Sequence, residues 1–543
     1  MANAPKIDCI VVGYRDIDFQ SYAMAQKRMQ KVSGAYRDAK HNSVLLQGKR
    51  ITYMDLLNRI LEKATGQNPK LNVFEVPSLG VTYLTSFLRR RSFNVEMVGF
   101  FNYEKAKLAA LLADSPTAVA ITTTFYVDFT PPSEIVRFVR QHSPSTKVIM
   151  GGPFINAVSK YPAKAQEYVL KNTGADVYVC DSQGEKTLAD ILAALRGRQF
   201  DELAKLPNLV YTTDNRTFQR TRPAPEANHL DNNAVDYGLF RKDERIFDYP
   251  VLLRTARSCP FHCSFCNFPA MAGKHVVSEL EVIERQLRFL HDKGVRFLVF
   301  IDDTFNVPLP RFKNLLRMMI RNRFEFDWMS FFRCSNADDE TFDLMQESGC
   351  KQVFLGIESG DQTILNNMQK FAKLSKYREG IQKLNERGVK TYASIICGFP
   401  GETERTFKNT LAFLEDSKPT FFNIQLYYHD VSTPVHREVE KYGLEGSGYS
   451  WKHRTMSWQE AADWTDYGFE NIQNSIPTTL YGFSVWAFPY LISRGLTLEH
   501  IKRFCAEARS MLVSSFDDQE RDFLPQQERL AAVFEGCRPQ IYN

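Results

Sequence analysis

Three of the chain's ten cysteines fall within eight positions, in the run Arg257-Ser258-Cys259-Pro260-Phe261-His262-Cys263-Ser264-Phe265-Cys266. Three thiolates on one tight loop can hold three irons of a [4Fe–4S] cluster and leave the fourth iron open to an outside ligand. A structural zinc would want four protein ligands. His262 could be the fourth, but it lies between two of the cysteines and competes with their loop geometry. An inert loop is the plainest alternative. Cys334, Cys350 and Cys397 have no partner spacing and fit buried small hydrophobes.

Further polar residues fall where apolar, β-compatible runs end. Asp302 and Asp303 follow Phe297–Ile301, and Arg333 and Ser335 follow Asp327–Phe332. Glu358 and Ser359 end Gln352–Ile357 within Gly356-Ile357-Glu358-Ser359-Gly360, and Gly398-Phe399-Pro400-Gly401-Glu402-Thr403 follows Thr391–Cys397. With Val251–Thr255 and Phe422–Tyr427 there are six strand candidates. Between them lie helix candidates at 278–293, 308–323, 338–348, 374–387 and 402–416. Ser278 and Glu281 fit a capping box. Six β-α units suit a partial (β/α)6 barrel, whose active site lies at the carboxyl face of the strands. Glu402 and Thr403 equally fit a plain helix start, and Glu358 a solvated turn.

The first 200 residues alternate in the same way, through runs at 7–13, 93–100, 118–123, 148–150 and 176–179. Alternation of this kind predicts right-handed crossovers and a doubly wound, Rossmann-like parallel sheet. Ligands of such sheets sit outside the strand carboxyl ends. The loops there are rich in small and hydroxyl residues: Tyr14 after the first strand, Ser78-Leu79-Gly80, Thr122-Thr123-Thr124-Phe125, Gly151-Gly152-Pro153 and Gln183-Gly184-Glu185. The fold class is therefore α/β. The expected boundaries are 1–200 for the doubly wound domain, 201–249 for a linker, 250–435 for the barrel and 436–543 for a mainly helical C-terminal domain.

Composition narrows the classes. The apolar fraction is 44% and the charged fraction 24%, which excludes disorder for the whole chain. A net charge of +5 gives no electrostatic case for nucleic acid. Residues 471–493 carry no charge, but polar residues and prolines interrupt them, so no membrane span is expected. No apolar signal region opens the sequence, and a cytoplasmic protein is expected. Trp451, Trp458, Trp464 and Trp486 fit either a pocket or a helical core. His429, His436 and His453 fit either acid–base groups or satisfied side chains.

The Cys-x3-Cys-x-aromatic-Cys run, with the strand-end residues after it, resembles the radical S-adenosylmethionine (SAM) superfamily over residues 250–430. The resemblance implies Cys259, Cys263 and Cys266 as ligands of a [4Fe–4S] cluster whose open iron chelates SAM. It implies Phe265 beside the adenine, and Asp302, Asp303, Arg333, Ser335, Glu358, Ser359, Gly398 and Pro400 around SAM. The N-terminal loops resemble the cobalamin-binding domain of B12-dependent members of that superfamily. Tyr14, Ser78, Leu79, Gly80, Thr122 to Phe125, Gly151 to Pro153 and Gln183 to Glu185 are the implied cobalamin contacts. No Asp-x-His-x-x-Gly is present, and the implied state is base-off, His-off. The opening, Asp8 to Phe19, and Ser33 to Asp38 are similar to a subgroup of P-methyltransferases and peptide C-methyltransferases of specialised metabolism.

The implied activity is methyl transfer to an unactivated carbon or phosphorus centre of a small molecule or peptide, with a reductase or flavodoxin-type electron donor. Non-methylating cyclisation or rearrangement is the alternative within enzymes. A non-catalytic cluster or cobalamin sensor is the alternative outside them.

Overall fold

The computed structural model describes residues 6–197 and 199–539. Its first sheet is built on β1 (Cys9–Tyr14), β2 (Val95–Phe100), β3 (Ala118–Thr122), β4 (Lys147–Gly151) and β5 (Val177–Val179), all parallel, in the order β2-β1-β3-β4-β5. Apolar β-branched runs such as Ile10-Val11-Val12 are buried on both faces, as a central parallel strand requires. The chain leaves β1 toward one edge and returns for β3 toward the other. The topological switch point therefore lies between β1 and β3. Two antiparallel strands, β6 (Leu209–Tyr211) and β7 (Gln219–Arg220), extend the far edge. The stretch read as a linker thus partly completes the first sheet.

The second sheet has seven parallel strands in chain order: β8 (Val251–Leu253), β9 (Phe297–Phe300), β10 (Asp327–Phe331), β11 (Cys350–Glu358), β12 (Lys390–Cys397), β13 (Phe421–Leu426) and a short β14 (Ile476–Pro477). The first six are the expected barrel strands. The seventh comes from the uncharged stretch, which is buried against Phe421 and Phe422. Among the described residues no helix is long and apolar enough to cross a membrane. The first barrel helix runs Leu280–Asp292 with Glu279 at its N-cap and no capping box. Ser278 instead gives its N–H to Thr255 O at 2.8 Å, and its carbonyl accepts from Arg311 at 2.8 Å.

Residues 15–77, expected to belong to the first sheet's domain, pack largely elsewhere. The helix α1 (Tyr53–Thr65) and the hairpin Val44–Leu46/Lys49–Ile51 lie against the C-terminal helices Leu498–Ser514 and Leu524–Val533. Leu45 N bonds Ser515 Oγ at 2.9 Å, and buried Arg50 bonds Asp518 Oδ1 at 2.6 Å. One continuous core holds this insertion, the barrel and the C-terminal helices together.

Candidate functional site

The cysteine loop leaves β8 through Thr255 and Ala256, and buried Asp302 fixes that exit. Its Oδ1 accepts from Thr255 N (2.7 Å) and Ala256 N (2.9 Å), and its Oδ2 from Thr255 Oγ1 (2.5 Å). Both oxygens of Asp302, expected at SAM, hold the loop. Asp303 is exposed; partial desolvation and then the Asp302 charge raise its carboxyl to about 7. Further along, Ser264 donates its N–H to Met368 O (2.8 Å) and its hydroxyl to Asn367 O (3.0 Å), while Val435 N donates to Ser264 O (2.8 Å). The loop is therefore tied to the segments that follow β11 and β13. Cys259 Sγ lies 3.3 Å from Thr304 Oγ1.

Among the described residues no group of three or more His, Cys, Asp or Glu side chains stands close enough to hold one metal ion, and a structural zinc would want four such ligands. A cluster takes one thiolate per iron and suits this set of three. Burial pushes the free thiol of Cys263 up and that of Cys266 up to about 11.

Around the loop, the expected residues divide. The Arg333 guanidinium stacks on the Phe261 ring at 3.8 Å, bonds Ser335 Oγ at 3.1 Å and donates to Lys370 O. Asn306, fully buried, positions that arginine: its Oδ1 accepts from Arg333 N at 3.1 Å, and its Nδ2 donates to the carbonyls of Arg333 and Asn336. Glu358 has φ +67°, a left-handed conformation uncommon away from Gly, and pairs with Lys370 Nζ at 2.8 Å. It is a buried ion-pair member and not a solvated turn. Ser359 is buried, beside Thr410 Oγ1 at 3.3 Å. Gly398 has φ +93°, and a Cβ there would sit 2.5 Å from the Trp451 ring. Its N–H donates to Glu402 Oε2 at 2.6 Å. Glu402 is wholly buried with Oε1 unpartnered, and burial raises its carboxyl to about 8. Thr403 caps the following helix, α2 (Glu404–Ser417).

At the first sheet, Ser78 caps the helix Leu79–Arg89, and a Cβ on Gly80 would stand 3.3 Å from both Thr122 Oγ1 and Thr124 Oγ1. Gly152 has φ +111° with Thr123 Oγ1 2.9 Å from its Cβ position. These loops therefore join into one strip at the switch point. The Tyr14 ring stacks on Phe74 at 4.0 Å and meets Phe125 edge-on at 5.7 Å. Phe125 is 53% exposed. Gln183 turns toward the barrel: its Oε1 accepts from Arg257 Nη1 at 2.6 Å and Asn228 N at 3.0 Å. Glu185 bonds Asn228 Nδ2. The two residues thus tie the first sheet to the connecting segment and the barrel, a role their sequence context did not show.

Segments that follow the strand ends of the two sheets meet. The helix after Gly152, Pro153–Val158, touches the helix after the cysteines, Phe268–Ala272. Burial and then the Asp430 carboxylate raise the phenols of both Tyr161 and Tyr428. A separate cavity of about 450 Å³ opens beyond the Tyr14 stack, lined by Asp16, Arg50, Asp55, Phe74, Tyr103 and Tyr481 and by no residue of the cysteine loop.

Residues 253–414 match the family model described as the radical SAM superfamily. This segment is a radical SAM domain. Its family implies the [4Fe–4S] cluster and SAM, and the three cysteines fit that donor set. Beyond the radical SAM domain, the fold is like that of TsrM, a radical S-adenosylmethionine methyltransferase from Kitasatospora setae with cobalamin and a [4Fe–4S] cluster bound. The TM-score is 0.61 at 17% identity, over 82% of this chain and 96% of that one. An uncharacterised methyltransferase of Pyrococcus horikoshii is 25% identical over 62% of this chain and 72% of its own. An anaerobic magnesium-protoporphyrin IX monomethyl ester cyclase of Rubrivivax gelatinosus is 24% identical over 63% of this chain. The match spans 62% of that cyclase's length.

Proposed function

We propose that the protein is a cobalamin-dependent radical SAM methyltransferase acting on an unactivated carbon or phosphorus centre of a small molecule or peptide. One observation carries this reading: the helix that follows the Gly152 turn, 153–158, touches the helix that follows the cysteines, 268–272, so that the switch-point strip and the cysteine loop would open onto one cleft. When bound there, the cluster and SAM supply a 5′-deoxyadenosyl radical, and cobalamin carries the methyl group.

The chain's own residues bind, orient and exclude water. Cys259, Cys263 and Cys266 hold the cluster, and Asp302 fixes their loop. Phe265, Asp303, Arg333, Ser335, Glu358 and the Gly398–Pro400 turn surround SAM. Tyr14, Ser78 to Gly80, Thr122 to Phe125 and Gly151 to Pro153 form the cobalamin-facing strip, where Gly80 and Gly152 leave room for a close-lying ligand. Exposed Phe125, Val127, Tyr428 and Val431 present apolar surface that a macrocycle would cover.

Turnover of the anaerobic holoenzyme with SAM, a strong reductant and candidate substrates tests the reaction. Methylation yields S-adenosylhomocysteine as well as 5′-deoxyadenosine. The cyclase relative raises a second reading, ring closure, which yields 5′-deoxyadenosine without S-adenosylhomocysteine. Cofactor binding with no SAM cleavage would instead mark a sensor.

A further inference from the structure

The two aromatic residues closest in sequence to Cys263 each carry a cation. Arg333 lies 3.8 Å from the Phe261 ring centroid, and Lys370 Nζ lies 5.6 Å from that of Phe265. Both cations are buried. The segment bearing Lys370 is clamped to the loop through the two hydrogen bonds from Ser264 to Asn367 and Met368. Arg333 is fastened to the same segment through Lys370 O.

Among the described residues the only carboxylate paired with either cation is Glu358, on Lys370. That pair is built in. Glu358 holds a left-handed φ of +67°, and Gly356 leaves the space: a Cβ there would lie 2.5 Å from Glu358 Oε1 and 3.2 Å from Lys370 Nζ. Two buried cations therefore share one carboxylate beside the cysteine loop. Three thiolates with an oxidised four-iron core carry a net negative charge. Reduction by one electron adds one more.

We propose that Lys370 is a positioning residue for electron entry: held by Glu358 over the Phe265 ring of the cysteine loop, its ammonium stabilises the one-electron-reduced cluster and raises the cluster's reduction potential. The electron comes from the external one-electron donor, dithionite in the assay; no bond forms or breaks at Lys370, which stays an ammonium throughout. Burial strengthens the effect, because a charge held in a low-dielectric surrounding acts with little screening. The inference rests on the cluster reading above but not on cobalamin or methyl transfer.

The test is EPR-monitored redox titration of the reconstituted full chain without SAM, cobalamin or substrate. Lys370→Met should lower the reduced-to-oxidised ratio at a fixed potential about tenfold, equal to about 59 mV for one electron, and Lys370→Arg should restore most of it. Glu358→Gln, which frees the ammonium, should shift the potential in the opposite direction. A Lys370→Met chain that assembles no cluster, while Lys370→Arg assembles one at the wild-type potential or not at all, overturns the proposal, because the lysine then serves assembly and not the potential. A Lys370→Met potential equal to wild type, or a Glu358→Gln shift of the same sign as Lys370→Met, overturns the proposal. A wild-type chain that assembles no cluster at all would instead overturn the radical SAM reading beneath it.

Discussion

Asp302 and Asp303 are adjacent, and the cysteine loop needs only one of them. Asp302 commits its carboxylate to two backbone N–H groups and a hydroxyl at the loop's root. Asp302→Ala leaves those buried donors unpaired, each worth about 1–3 kcal/mol. Thermal unfolding of the variant should show a loss of about 3 kcal/mol together with loss of iron. Unchanged unfolding with weakened SAM binding would return Asp302 to the ligand-contact role that the sequence suggested. Glu402 makes a pH-dependent prediction. Its folded carboxyl stands at about 8, above the ordinary 4.5. Its contribution to stability is therefore fully present below pH 4.5 and is lost as pH rises toward 8. The unfolded chain releases the proton first, so stability falls with pH across that window at up to about 1.4 kcal/mol per pH unit. Glu402→Gln should flatten the slope of unfolding free energy between pH 5 and 8, and an identical slope in both proteins would refute the buried neutral carboxyl. Glu402 was visible in sequence only as a helix-start candidate, because nothing in Gly-Glu-Thr states that the side chain folds back on Gly398.

At the scale of elements, the strand-end turns set the space available to ligands. Gly152 stands at a φ of +111° against Thr123, so Gly152→Ala strains the turn by about 1–3 kcal/mol and pushes into the strip facing the cleft. Cobalt retention should fall about tenfold while iron is unchanged, as metal analysis of the desalted variant would show; equal loss of both metals would mean that the turn supports the whole fold instead. The strands themselves were legible. Runs such as Phe297–Phe300 and Ala118–Ile121 are apolar throughout because both faces are buried, and the turn into β11 needs a glycine. Gly349 shows why: its φ is +92°, and a Cβ would lie 2.1 Å from Phe326 O. The ion pair of Glu358 and Lys370 was not legible. Lys370 sits in a polar stretch that suits a solvated turn, and its burial depends on strands and loops far from it in sequence.

On the scale of the whole molecule, the chain closes on itself. Leu45 and Ser515, 470 residues apart, share a hydrogen bond. The apolar face of α1 (Leu56, Leu57, Ile60 and Leu61) finds its partner at the far end of the chain, which no local pattern reveals. The contact of Gln183 with Arg257 belongs to this scale as well. Small-residue loops suggested ligand contacts, whereas two of those side chains fasten the two units together. The central claim is that a single cleft serves two cofactors. It is tested most directly by reconstituting the full chain without oxygen with iron, sulfide and hydroxocobalamin, desalting it, and measuring iron and cobalt per chain. The account predicts about four irons and about one cobalt per chain. Iron retained without cobalt would contradict it, leaving a radical SAM domain whose neighbouring sheet binds something other than cobalamin.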